Sequence, residues 1–129
     1  MLEQNKEFDS IKLIDFGTAI VQDGFTNLDE HVGTAYYIAP EVLTKNYNEK
    51  CDIWSIGVLL YIFLSGMPPF LGRTDEETLM KINRGEYNFD DTIWSKVSGN
   101  AKDLISLLLT YDMDERPSAA AALNHPWLT

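Results

Sequence analysis

The hydrophobic and polar positions along this chain alternate between helical runs and irregular, turn-rich stretches. Residues 1–10 are polar and without period. Ile11 to Ile14 alternate briefly, which predicts a short strand ending at Asp15 and an N-terminal β-hairpin. Residues 18–34 carry Gly24, Asn27, Asp29, Glu30 and Gly33 with no period. This predicts a loop of about 17 residues, a length that is usually functional or disordered.

From Pro40 onwards the pattern is helical. Pro40 suits the first turn of a short helix in "PEVLTKN". "NEKCDIWSIGVLLYIFLSG" predicts a long helix with Asn48 as its cap and Gly66 as its stop. Its centre is apolar nearly all round, so it must be covered on most sides. In "TDEETLMKINRG", Thr74 is the expected cap, Glu77 its capping-box partner and Gly85 the stop. A further helix in "SGNAKDLISLLLTYD" places Leu104, Leu107, Leu108 and Tyr111 on one face. A last one, in "PSAAAALNHPWL", begins at Pro117 and ends before Pro126. The expected fold is therefore mainly α.

Composition narrows the possible roles. The 129 residues are enough for one domain, and 45% of them are hydrophobic, so the chain is built to bury a core. Twenty acidic against ten basic residues give a net charge of -10. That argues against nucleic acid and anionic membrane, which select basic faces, and it suits either basic peptides or simple solubility. A single cysteine, Cys51, forms no internal disulfide and fits a reducing, cytoplasmic setting as a buried, inert thiol. "MLEQNKEFDS" has no apolar core of a signal peptide, and the 12-residue run Ile53 to Leu64 is too short to span a bilayer.

Several segments carry candidate chemistry. Asp15-Phe16-Gly17 follows the predicted strand. Alone, Asp15 reads as a solvated turn residue or as a carboxylate for Mg²⁺, which takes one or two protein carboxylates beside phosphate oxygens and waters. Next come "GTAYYIAPEVL" from residue 33, "DIWSIGVLLYIFLSGMPPF" from residue 52, "DERPSA" around Arg116, and "NHPWL". Their order and spacing resemble the second half of a eukaryotic serine/threonine protein kinase domain, from about Ile11 to Leu128. The stretch from Val32 to Phe70 looks most like the calcium-dependent and calmodulin-dependent branch.

The resemblance implies roles for particular residues. Asp15 matches the Mg²⁺ ligand beside ATP, with Phe16 packing behind it. Residues 18–38 match the activation segment, in which Glu30 is either a fixed charge replacing a phosphothreonine or part of a solvated acidic loop. Gly33, Thr34 and Tyr37 match the substrate-binding stretch. Asp52 matches the carboxylate that holds the catalytic loop, although a helix start also favours a negative charge for its own sake. Glu41 matches the segment's anchor and Arg116 its partner, a planar guanidinium suited to a bidentate clamp.

Other elements of a kinase are missing from these residues. There is no Gly-rich loop, no strand lysine with its glutamate and no His-Arg-Asp, and so no catalytic residue. The expectation is a partial kinase domain over residues 1–129, the C-terminal lobe without its N-terminal lobe or catalytic loop. Its expected partners are protein substrates and the missing lobe. The alternative is a non-catalytic protein-binding module. Asp112 and Asp114 lack the Gly and distal Glu of a calcium loop and read as a helix-end turn. His125 and the three tryptophans read as packing residues.

Overall fold

A computed structural model describes residues 12–20, 35–90 and 92–129. The described residues form five α-helices: α1 (Pro40–Leu43), α2 (Lys50–Ser65), α3 (Asp75–Arg84), α4 (Gly99–Leu108) and α5 (Ala119–Ala122). Single 3-10 turns lie at Phe16–Thr18, Ala35–Tyr37 and Thr92–Lys96. The fold is mainly α, as its periodicity predicts. Most of the expected hairpin lies outside the described residues, and residues 12–14 take no strand conformation.

The helix ends follow local chemistry. The Asn48 Oδ1 accepts the Lys50 N–H at 2.9 Å, satisfying one of the free donors at the start of α2. Gly66 closes that helix at φ 77°, a left-handed conformation that glycine adopts without steric cost. Thr74 caps α3 by accepting the Glu77 N–H at 3.2 Å. The Glu77 carboxylate does not return to Thr74 as in a capping box; it accepts the Arg73 N–H at 2.7 Å, one residue earlier. Ser98 and Ser118 cap α4 and α5. The last helix thus starts at Ala119, two residues later than the expected Pro117, because the Ser118 side chain accepts the Ala121 N–H at 3.2 Å and so takes the cap position.

The long helix α2 is the centre of the molecule and packs against α4 and the Ala35–Tyr37 turn. Gly57 lets α4 approach closely: a Cβ there would lie 2.9 Å from Leu108 Cβ and Leu109 Cδ2. On one side of α2, Trp54 stacks on Phe70 with centroids 5.4 Å apart. Tyr61 meets Trp94 at 4.6 Å, and its hydroxyl donates to the Asn88 carbonyl at 2.8 Å.

Two expectations about buried faces need correction. The α4 face that packs is Ala101, Leu104, Ile105 and Leu108. Leu107 lies on the flank and is 42% exposed. Tyr111 lies beyond the helix end, where its hydroxyl donates to the Asn83 carbonyl. Nor is α2 covered on most sides, since Ile56, Leu59 and Phe63 are exposed, Phe63 at 79%. They border an apolar groove of about 390 Å³ whose floor includes Ile53, Leu60, Leu104, Leu108 and Trp127. No helix among the described residues is long and apolar enough to cross a membrane.

Candidate functional site

Among the described residues, a dense polar arrangement joins α1, α2 and the loop after α4. Arg116 is 1% exposed in a mostly apolar core. Its five N–H donors all have acceptors. Two form a bidentate pair with Glu41, Nη1 to Oε1 at 2.5 Å and Nη2 to Oε2 at 2.9 Å. The others reach the carbonyls of Thr110 at 2.9 Å, Lys50 at 2.8 Å and Tyr111 at 3.3 Å. The guanidinium carbon also lies 5.1 Å from the centroid of the Trp54 ring, within range for a cation–π contact. A buried guanidinium is tolerable only with this degree of satisfaction. Lys50 adds a second strap, Nζ donating to the Asp114 carbonyl at 2.9 Å.

The clamp holds the C-terminal end of the segment that runs from the Ala35–Tyr37 turn to α1. Before Glu41, Ile38, Ala39 and Pro40 are buried. Before those, Tyr37 is half-buried at the end of its 3-10 turn. Its carbonyl accepts the Ser55 hydroxyl of α2 at 2.8 Å. Gly33, Thr34 and Glu30 lie outside the described residues.

Asp15 is exposed, with φ 63° and ψ 67°. This left-handed conformation is one that Asp tolerates better than most residues. Its carboxylate is thus presented to solvent by a bent backbone. Phe16, expected to pack, is 67% exposed, because nothing among the described residues covers it. The described residues contain no cluster of three or more His, Cys, Asp or Glu able to hold a metal unaided. A single exposed carboxylate fits Mg²⁺ shared with nucleotide phosphates and water, and does not fit a site enclosed by protein.

Asp52 sits in the first turn of α2, where a negative charge is favoured, and is exposed. Its Oδ1 is 3.9 Å from the Cys51 Sγ. Cys51 is half-buried, and its thiol is pushed up to about 12, first by burial and then by the charges of Asp52 and Glu41. Asp112 and Asp114 form a turn, the Asp114 N–H donating to Asp112 Oδ1 at 2.9 Å. His125 packs as expected, 8% exposed. It also makes two polar contacts: Nδ1 accepts the Trp127 N–H at 3.1 Å, which leaves Nε2 as donor to Asp103 Oδ2 at 3.0 Å.

Sequence reasoning did not find Ser55 or the carbonyls around Arg116. Backbone acceptors have no residue signature, and a serine inside a helix usually bonds to its own preceding turn.

Known proteins are similar in sequence to nearly all of this chain. It is 49% identical over 125 residues to calcium-dependent protein kinase 4 of Plasmodium berghei (strain Anka), covering 97% of this chain and 24% of that protein. Calcium-dependent protein kinase 3 of Plasmodium yoelii yoelii is 49% identical over 121 residues, 91% of this chain and 22% of that protein. Calcium-dependent protein kinase 5 of Plasmodium falciparum (isolate 3D7) is 46% identical over 123 residues, 95% of this chain and 22% of its own length. The chain therefore spans roughly a quarter of the length of these relatives. The family model for the protein kinase domain matches residues 1–128, a span that includes Asp15-Phe16-Gly17, Glu41 and Arg116, and the chain belongs to that family.

Proposed function

We propose that residues 1–129 are the part of a serine/threonine protein kinase domain that presents the protein substrate and one magnesium ligand. Asp15 holds Mg²⁺ against ATP. Gly33, Thr34 and Tyr37 border the substrate's hydroxyl-bearing residue, and Glu30 supplies negative charge to the activation segment. Asp52 awaits the backbone of a catalytic loop that this sequence does not contain. The whole protein transfers phosphate from ATP to Ser or Thr of protein substrates in the cytoplasm, and the acidic surface favours basic peptides.

The observation that carries this reading is the Glu41–Arg116 clamp. An activation segment works by moving its middle while its far end stays fixed, and five satisfied donors provide that fixed end. On their own these residues lack a catalytic base and a phosphate loop, so they do not transfer phosphate.

The test compares the natural protein that contains this chain with residues 1–129 alone, using radiolabelled ATP, Mg²⁺ and a basic serine peptide. The natural protein is expected to label the peptide and to lose that activity with Asp15→Ala. The 129-residue chain is expected to match a blank without enzyme. A folded natural protein that labels nothing overturns the catalytic reading in favour of a protein-binding module. Labelling by the 129 residues alone overturns their assignment as an incomplete machine.

A further inference from the structure

Ser55 faces two carbonyls. Its Oγ lies 2.8 Å from the Tyr37 carbonyl and 3.2 Å from the Cys51 carbonyl, one turn back in its own helix. A hydroxyl has one proton to donate. The usual habit of a serine inside a helix is the bond to its own preceding turn, and here the shorter contact goes to a different segment.

That segment needs an outside tie. The Ala35–Tyr37 turn is three residues of 3-10 helix, whose hydrogen-bond geometry is too poor to persist without tertiary support. On its C-terminal side, buried Ile38 and Ala39 and the Glu41–Arg116 clamp fix the chain. Tyr37 is the point where this fixed chain passes toward Thr34. Ser55 comes from α2, whose neighbour Trp54 is fully buried beneath the guanidinium of Arg116. Its hydroxyl is therefore carried by one of the best-held parts of the molecule.

We propose that Ser55 is a positioning residue for the peptide site: its hydroxyl fixes the Tyr37 carbonyl and thereby the wall against which a protein substrate lies. This rests on the reading of Tyr37 as part of that site. Ser55 touches neither substrate nor nucleotide, and acts through Tyr37. Loss of the hydroxyl leaves a half-buried carbonyl without this donor, and the turn shifts to find water.

The test uses the natural protein with Ser55→Ala and Ser55→Thr, a basic serine peptide and Mg²⁺-ATP. Ser55→Ala is expected to raise KM for the peptide about tenfold, the effect of one lost hydrogen bond in a well-ordered wall. KM for ATP stays unchanged, kcat changes less than about twofold, and Ser55→Thr restores the peptide KM because it keeps the hydroxyl. Amide hydrogen exchange over residues 35–39 is expected to speed up in Ser55→Ala and to return to the wild-type rate in Ser55→Thr. An unchanged peptide KM in Ser55→Ala overturns the role of Ser55 and leaves the kinase reading standing. Equal changes in both KM values with a fall in melting temperature show a merely structural role and also overturn it. A wild-type protein that neither phosphorylates nor binds the peptide overturns the kinase reading, and the role of Ser55 with it.

Discussion

Arg116 meets Glu41 across 75 positions of sequence, with two hydrogen bonds between them and no exposed guanidinium surface. The pair closes α1 onto the loop after α4, and the Lys50 carbonyl adds α2 to the same junction. Breaking one side of a buried pair leaves an uncompensated charge, which costs about 3–5 kcal/mol. Arg116→Ala is expected to lower the stability of any well-folded form containing this chain by about that amount, measured by chemical denaturation. Arg116→Lys recovers only part of it, since an ammonium cannot serve five fixed acceptors. An unchanged midpoint for Arg116→Ala overturns the clamp as a structural anchor.

Gly57→Ala tests the approach of α2 to α4. The new methyl would sit 2.9 Å from two leucine atoms. Overpacking of this kind costs about 1–3 kcal/mol, more than the gain in helix propensity from Gly to Ala of about 1 kcal/mol. A net loss of stability is expected by thermal unfolding. Gly99→Ala is the control, because a Cβ there meets nothing within 4 Å. Equal effects at both positions would show that the contact with α4 is looser than described.

Cys51 gives a pH prediction with a definite sign. Its thiol is raised from 9.0 to about 12 in the folded chain. Below pH 9 the thiol keeps its proton in both states and contributes no pH dependence. Between pH 9 and about 12 the unfolded chain releases the proton and the folded chain does not, so stability falls as pH rises. The difference in unfolding free energy between wild type and Cys51→Ala is expected to shrink across that window. Alkylation of the folded protein at pH 8 is expected to be much slower than that of the unfolded chain. Rapid alkylation of native protein contradicts the assignment.

The groove along α2 predicts how residues 1–129 behave alone. Phe63, Ile56 and Leu59 present apolar surface beside the groove. Patches of several hundred Å² mark interaction or aggregation sites. The 129-residue chain is expected to bind a hydrophobic dye and to self-associate, and Phe63→Glu to reduce both without loss of helical circular dichroism. A monodisperse monomer that ignores the dye contradicts this.

The sequence alone determined that the five helical segments exist, the capping roles of Thr74, Gly66 and Gly85, and the family. These rest on local rules, periodicity and capping chemistry, or on the order of motifs, and each is written in adjacent residues. Thr74, Gly66 and Gly85 act at the ends where their side chains, or the lack of one, predict. The pairing of Glu41 with Arg116 was legible through the resemblance to the kinase motifs, and the fit of a planar guanidinium to a carboxylate agreed with it. Only the tertiary structure decided which face of α2 stays uncovered, since a helix apolar all round does not state which side meets a neighbour. It also decided that Asp52 and Phe16 are exposed, that Glu77 bonds to Arg73, and that the Ser55 hydroxyl lies closer to the Tyr37 carbonyl than to that of Cys51. These outcomes depend on which backbone carbonyls, N–H groups and surfaces arrive from distant parts of the chain, and a backbone group looks the same in sequence wherever it is.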